Sequence, residues 1–84
     1  MEKLSLRQKL GRNLRAYRKQ LGLKQSELAE KAKKTQADIS EIERGRCSAT
    51  VDTIEALALA LGISAGLLLR EDSEEISEIF QSVP

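Results

Sequence analysis

Residues 21–45 read LGLKQSELAEKAKKTQADISEIERG, a stretch that predicts two short helices joined by a tight turn. The first helix spans 25–32, and Thr35 is a typical N-cap for the second helix, which covers about 36–44 before Gly45 stops it. The inward faces of the two helices carry apolar residues at helical spacing, namely Leu28, Ala29, Ala32, Ile39 and Ile42. The outer face of the second helix is polar.

A longer helix precedes this pair. Its apolar residues recur every three or four positions, which is the spacing of one helix face: Leu6, Leu10, Leu14, Tyr17 and Leu21. Ser5 is placed as the N-cap and Gly22 as the C-terminal stop. Gly11 costs the helix about 1 kcal/mol relative to Ala, which indicates either close packing at that position or a tolerated cost.

Two further helices follow the pair. Thr50 caps a fourth helix that ends at Gly62, and Ser64 caps a short fifth helix. We expect the fourth helix to face the core with Val51, Ile54, Leu57, Ala58 and Leu61, and the fifth to present Leu67, Leu68 and Leu69. These patterns predict an all-α fold of five helices.

Composition agrees with one small helical domain. The chain has 84 residues, of which 40% are hydrophobic and only 2% aromatic, so the core must be aliphatic and a β-sandwich or barrel is disfavoured. We assign residues 1–70 to this domain and residues 71–84 to an acidic C-terminal tail.

The tail carries a second pattern within its acidic sequence. Ile76, Ile79, Phe80 and Val83 follow i, i+3, i+4, i+7 spacing, which predicts a short amphipathic helix that docks or dimerises. Terminal segments are ordered only when other parts of the protein hold them, so a frayed tail is the equal alternative.

Charge is distributed unevenly along the chain. Residues 1–46 contain 13 Lys and Arg against 6 Asp and Glu, a formal net charge of +7, whereas residues 47–84 contain 1 and 7, a net charge of −6. The basic half is suited to a polyanion. Ordinary solvated helix faces explain the same asymmetry equally well.

Several function classes lack their sequence signals. No apolar run approaches the ~20 residues that cross a bilayer, and the N-terminus has no secretory signal, so we expect a cytoplasmic protein with no membrane partner. The chain has no His, no metal-ligand cluster and no Gly-rich phosphate loop, which predicts neither an enzyme nor a cofactor or metal site. The single cysteine, Cys47, is either a bystander thiol or a redox switch.

The central helix pair has the geometry that DNA reading requires. In such a pair one helix crosses the phosphate backbone and positions the other, the recognition helix, against base edges in the major groove. Helix pairs also occur in proteins that never touch DNA, so geometry alone leaves both interpretations open.

The residues themselves add a resemblance. Residues 21–45, together with TVDTIEALALALGIS at 50–64 and the pair Leu68 and Leu69, resemble the phage repressor and Cro-like (xenobiotic-response-element-type) helix-turn-helix transcription regulators. The resemblance covers about residues 6–70, with several motifs in order and at the right spacing. It implies a compact lambda-repressor-like domain that binds double-stranded DNA.

The resemblance also implies roles for individual residues. Gln25 would hold a phosphate or brace Gln36, and Gln36 would contact an adenine through its amide. Ala37 and Ser40 would lie on the same groove-facing surface. Glu41 aligns with a base-reading position, but phosphates repel a carboxylate, so an outward-turned Glu41 is as consistent with the sequence. The alternative for Gln36 is an exposed helix-start residue without a DNA role.

Further residues complete the implied interface. Thr35 lies at the start of the recognition helix, and the basic residues implied to meet phosphates are Arg12, Lys33, Lys34, Arg44 and Arg46. Each of these charges has a plain solubilising role as its alternative. Asp38 is expected to serve the helix N-terminus rather than DNA.

Two more features are implied by comparison with the family pattern. Arg18 is expected to pair with Glu43 and tie the first helix to the recognition helix. Lys33 stands where the family usually has Gly, so a non-Gly residue is expected at positive φ, and Lys34 replaces a usual apolar residue.

Leu59 and Leu67 are the candidate residues for a dimer interface. Leu59 lies off the core face of the fourth helix, and Leu67 stands where relatives often carry an acidic residue. A homodimer would place two recognition helices about 34 Å apart and predicts a palindromic operator with half-sites roughly 10 bp apart. The alternative is that both leucines pack on the acidic tail of their own chain.

Two function hypotheses remain from the sequence. The first is a sequence-specific transcription regulator, the size of a phage repressor or of a restriction-modification controller protein. The second is an antitoxin whose tail binds a partner protein while its helix-turn-helix regulates its own operon.

Overall fold

The computed structural model describes residues 4–70, which form five helices and no strand in that range. The helices are α1 (Leu6–Gln20), α2 (Gln25–Ala32), α3 (Gln36–Glu43), α4 (Val51–Leu61) and α5 (Ala65–Leu68). The predicted all-α fold is confirmed. The predicted docking or dimerisation helix in the tail lies outside the described residues. No helix within 4–70 has both the length and the apolar character needed to cross a bilayer.

Most helix ends are set by the residues that the sequence nominated. The Ser5 hydroxyl accepts a hydrogen bond from the Gln8 N–H, and the Gln8 side chain accepts one from the Ser5 N–H at 2.8 Å. Thr50 accepts from the Thr53 N–H at 3.1 Å. Ser64 occupies the N-cap position of α5, but its side chain makes no capping hydrogen bond. The predicted stops all adopt left-handed backbone: Gly22, Gly45 and Gly62.

The core lies where the five helices pack against one another. α1 and α2 both pack against α3, α2 also packs against α4, and α5 closes the other side against α1 and α4. The buried hydrophobic residues are Leu10, Leu14, Tyr17, Leu28, Ala29, Ala32, Ile39, Ile42, Leu57, Ala58, Leu61 and Leu68. α3 is therefore held along its inner face by α1 and α2.

Three residues expected on the core face are exposed instead. Leu6, Leu21 and Val51 are 62%, 43% and 80% exposed, and Ile54 is only half-buried. The three exposed residues lie at the first or last turn of a helix, where the helix face extends past the elements packed against it. Periodicity predicts the direction of a side chain but not whether another element lies opposite.

Asn13 is a buried polar residue that the sequence analysis did not single out. Its side-chain amide donates to the carbonyl oxygens of Leu68 at 2.8 Å and Arg70 at 2.5 Å. These bonds tie α1 to the end of α5. The available signal was its position, three residues after Leu10 and four before Tyr17, on the same inward face.

Candidate nucleic-acid interface

The turn between α2 and α3 is made by a lysine in left-handed conformation. Lys33 has φ 58° and ψ 43°, which confirms the predicted positive φ. Its N–H donates to the Glu30 carbonyl oxygen at 3.2 Å, and the Lys34 N–H donates to the Ala29 carbonyl oxygen at 2.8 Å. Because these bonds satisfy the last carbonyls of α2, the chain reverses over residues 33–35 and α3 begins directly afterwards.

The start of α3 is held by a reciprocal pair of hydrogen bonds. The Thr35 hydroxyl accepts from the Asp38 N–H, and the Asp38 carboxylate accepts from the Thr35 N–H, both at 3.1 Å. The hydrogen bond from the Thr35 N–H to the carboxylate is the main cause that lowers the pKa of Asp38, and the Thr35 side chain and the nearby charge of Lys34 lower it further. Asp38 therefore serves the helix end, as expected from the sequence.

The outward face of α3 collects the predicted base-contacting residues. Helix residues are about 100° apart, so the positions opposite buried Ile39 and Ile42 share one arc. That arc holds exposed Gln36, Ala37, Glu41 and Arg44 and half-buried Ser40. An exposed, polar helix face of this kind can enter a major groove.

A buried ion pair fixes the other end of α3. The Arg18 guanidinium donates to the two Glu43 carboxylate oxygens at 2.6 and 3.0 Å and to the Leu23 carbonyl oxygen at 2.8 Å, which confirms the expected pair. Gln25 donates to Glu43 at 3.1 Å. The amide of Gln25 thus braces the end of α3 rather than Gln36.

Arg15 is a candidate interface residue that the sequence analysis missed. With Arg18, Gln25, Glu43 and Arg44 it lines a polar pocket of about 220 Å³ beside the N-terminus of α2. Three arginines surround one carboxylate there, so the pocket carries excess positive charge. The available signal was the spacing of Arg15 and Arg18, which puts both on neighbouring positions of one helix face.

The remaining basic candidates lie in three places: Lys33 and Lys34 in the turn, Arg46 in the loop after α3, and Arg12 on α1. Lys33, Arg12 and Arg46 are exposed and Lys34 is half-buried. Arg46 is 4.0 Å from the Glu41 carboxylate, a weak surface contact.

A pocket of about 290 Å³ is lined by nine residues, among them Lys34, Glu41 and half-buried Cys47. No group of three or more metal-binding side chains gathers between residues 4 and 70.

The two dimer candidates differ in exposure. Leu59 is 75% exposed on α4, whereas Leu67 is half-buried and packs against the core. Leu59 is therefore the candidate that leaves most of its apolar surface in water.

Known proteins are similar to this chain in both sequence and fold. The sequence model of the helix-turn-helix family matches residues 14–68. The chain is 38% identical over 64 residues to the immunity repressor protein of Bacillus phage phi105, an alignment that covers 76% of the chain and 44% of the repressor. The chain therefore spans less than half the length of that relative.

Solved structures agree with the sequence comparison. A hypothetical transcription factor from Neisseria is 34% identical with a TM-score of 0.80, over 88% of this chain and 85% of that one. The restriction-modification controller protein C.AhdI from Aeromonas hydrophila is 32% identical with a TM-score of 0.72, over 74% and 94% of the two chains.

Proposed function

The chain belongs to the helix-turn-helix family of phage-repressor and Cro-like DNA-binding transcription regulators, and from this premise we propose that it reads a palindromic operator as a homodimer. The observation that carries the proposal is the outward face of α3. It is exposed and polar, and it is held at one end by Thr35 and Asp38 and at the other by Arg18 and Glu43.

The proposed base contacts come from the N-terminal half of α3. Gln36 pairs its amide with N6 and N7 of an adenine, and the Ala37 methyl contacts a thymine methyl. One turn later, the Ser40 hydroxyl makes a hydrogen bond to a base or a phosphate. Glu41 accepts from a cytosine amino group if it faces a base, because phosphates repel a carboxylate elsewhere in the groove.

Phosphate contacts position α3 without reading sequence. The proposed residues are Arg15, Gln25, Lys33, Lys34, Thr35, Arg44 and Arg46. Arg15 and Arg44 line the same pocket as Gln25 at the start of α2, where the helix dipole also favours an anion. Because Glu43 is already paired with Arg18, its charge does not cancel that of Arg15 or Arg44.

We place the dimer interface on Leu59 and Leu67. Exposed Leu59 gains from burial against a second copy, and a two-fold interface there sets two recognition helices about one DNA turn apart. The named relatives are repressors and transcription regulators, which favours this function over the antitoxin hypothesis. The named relatives come from bacteria and a bacteriophage, whose duplex DNA lies in the bacterial cytoplasm, so we propose that location for this protein too.

The experiment begins with selection of bound duplexes from a random pool by the full chain, followed by affinity measurements on the selected operator. Gln36→Ala is expected to cost about 1 to 3 kcal/mol on that operator and to relax preference at one base pair of each half-site. Arg44→Gln, the contrasting variant, is expected to weaken all sequences alike. Unchanged operator affinity in Gln36→Ala contradicts the assigned reading residue, and absence of any salt-sensitive duplex affinity contradicts the proposal.

The homodimer has its own measurement. Sedimentation equilibrium on Leu59→Asp is expected to show a monomer, because a carboxylate would be buried unpaired in the interface. Val51→Asp is the matched control, since Val51 is on the same helix and equally exposed. A Leu59→Asp protein that remains dimeric places the interface elsewhere.

A further inference from the structure

An apolar groove lies beside the start of α1, and no residue of α3 lines it. It has a volume of about 440 Å³ and runs between the start of α1, the start of α4 and the end of α5. Its apolar lining includes Leu6, Leu10, Val51, Ile54 and Leu69. Leu6 and Val51 are among the most exposed large hydrophobic residues between positions 4 and 70, so the groove leaves apolar surface in water.

The α1 side of the rim of this groove is electropositive. The N-termini of α1 and α4 both open onto the groove; the first turn of α1 contains no acidic residue to offset its helix dipole, whereas Asp52 lies in the first turn of α4. Arg7 also lines the groove, where its guanidinium donates to the Ser48 hydroxyl at 2.8 Å. A positive rim around an apolar floor fits an acidic segment with one apolar face.

Residues 71–84 have that chemistry. They contain five acidic residues and no Lys or Arg, and four apolar residues recur at the spacing of one helix face: Ile76, Ile79, Phe80 and Val83. The segment begins two residues after Leu69, which itself lines the groove. A short tether gives a millimolar effective concentration, so this segment has an advantage over any separate partner.

We propose that residues 71–84 dock in the groove of their own chain. In this proposal the apolar residues of the segment are the partners of Leu6 and Val51, and its acidic residues are attracted to Arg7. Such an occupant would account for the exposure of Leu6 and Val51. The proposal is independent of DNA binding.

Methyl NMR on the full chain tests the docking. Phe80→Asp removes an apolar anchor without altering the helical domain, and it is expected to shift the methyl resonances of Leu6, Val51 and Ile54. Ser77→Asp is the matched control, since it adds the same charge off the apolar face of the segment. It is expected to leave those resonances in place.

A reciprocal change tests the groove side. Val51→Asp is expected to shift the backbone amide resonances of residues 76–83, whereas Ser26→Asp, at an exposed position of α2 outside the groove lining, is expected to leave them unmoved. The proposal is overturned if groove methyls ignore Phe80→Asp or respond equally to Ser77→Asp. It is also overturned if the Phe80→Asp effect disappears on dilution, because the occupant would then be a second copy.

Discussion

Gly11 faces the carbonyl oxygen of Ile42 so closely that a Cβ at position 11 would lie 2.4 Å from that oxygen. The missing side chain lets α1 run directly against the last turn of α3. About two turns further along α1, Arg18 holds Glu43 in that same last turn. The cost of a glycine inside α1 thus corresponds to a close helix contact, which is one of the two explanations that the sequence allowed.

Gly11→Ala is therefore expected to destabilise the fold even though Ala is the better helix former. The gain in helix propensity is about 1 kcal/mol, while forcing a methyl group onto two carbonyl groups of α3 costs more, so we expect a net loss of about 1 to 2 kcal/mol. Urea denaturation measures it. Gly66→Ala is the control, since a Cβ there meets only the Ser64 hydroxyl at 3.7 Å. Equal stability of the two variants would contradict the close contact.

The fold was predictable from the sequence mainly because local signals determine where these helices begin and end. Thr35 and Thr50 cap α3 and α4 through short-range hydrogen bonds, and three glycines stop helices in a conformation that Gly adopts without strain. Such signals depend on neighbours within a few residues. They are therefore readable without knowledge of the tertiary structure.

Tertiary partners were harder to predict. The Arg18–Glu43 pair followed from the family resemblance, not from spacing, because the two residues are 25 positions apart. Asn13 and Arg15 were missed, because the local sequence around a polar residue of α1 does not indicate which other helix that residue will contact. Exposure of Val51 depends on what lies opposite the start of α4, and helical periodicity carries no such information.

Replacement of Glu43 tests the ion pair. Glu43→Ala leaves the Arg18 guanidinium without its carboxylate in a site where the two side chains are 11% and 5% exposed. The expected loss is about 3 kcal/mol of unfolding free energy, because an unpaired buried charge keeps its desolvation cost. Glu41→Ala, two residues away, removes only an exposed contact at 4.0 Å to Arg46 and is expected to cost under about 0.5 kcal/mol. Similar losses in the two variants would refute a special role for the buried pair.

Lys33→Gly is expected to stabilise the domain. The lysine holds φ 58°, where a Cβ costs about 1 kcal/mol or more, and Gly adopts this backbone without strain. After allowance for the greater entropy of Gly in the unfolded chain, the net gain is about 0.5 kcal/mol. Lys31→Gly removes the same charge inside α2 and is expected to lower the free energy of unfolding by about 1 kcal/mol. Thermal melts of both variants check the opposite signs.

Asp38 gives the domain a predictable acid sensitivity. Hydrogen bonds from Thr35 hold the pKa of Asp38 below 3.8, so the charged carboxylate is favoured in the folded state. Its contribution to stability is therefore complete above the unfolded pKa and is lost as pH falls through the lower folded pKa. Asp38→Asn should melt at a lower temperature than wild type near neutral pH, with the gap closing in strong acid. An NMR titration that places this pKa at or above 3.8 would rule out the argument.

Arg15 supplies the last prediction, which concerns salt dependence of DNA binding. If Arg15 meets a phosphate from the pocket that it shares with Gln25 and Arg44, Arg15→Gln removes one released counterion. The slope of log affinity against log salt should then become shallower by about 0.9, equally for operator and unrelated duplexes. Arg70→Gln is the charge-matched control, because Arg70 follows α5 and is not one of the residues of the proposed interface. A slope that changes as much in Arg70→Gln would mean that the overall charge of the protein, not a contact at this pocket, sets the effect.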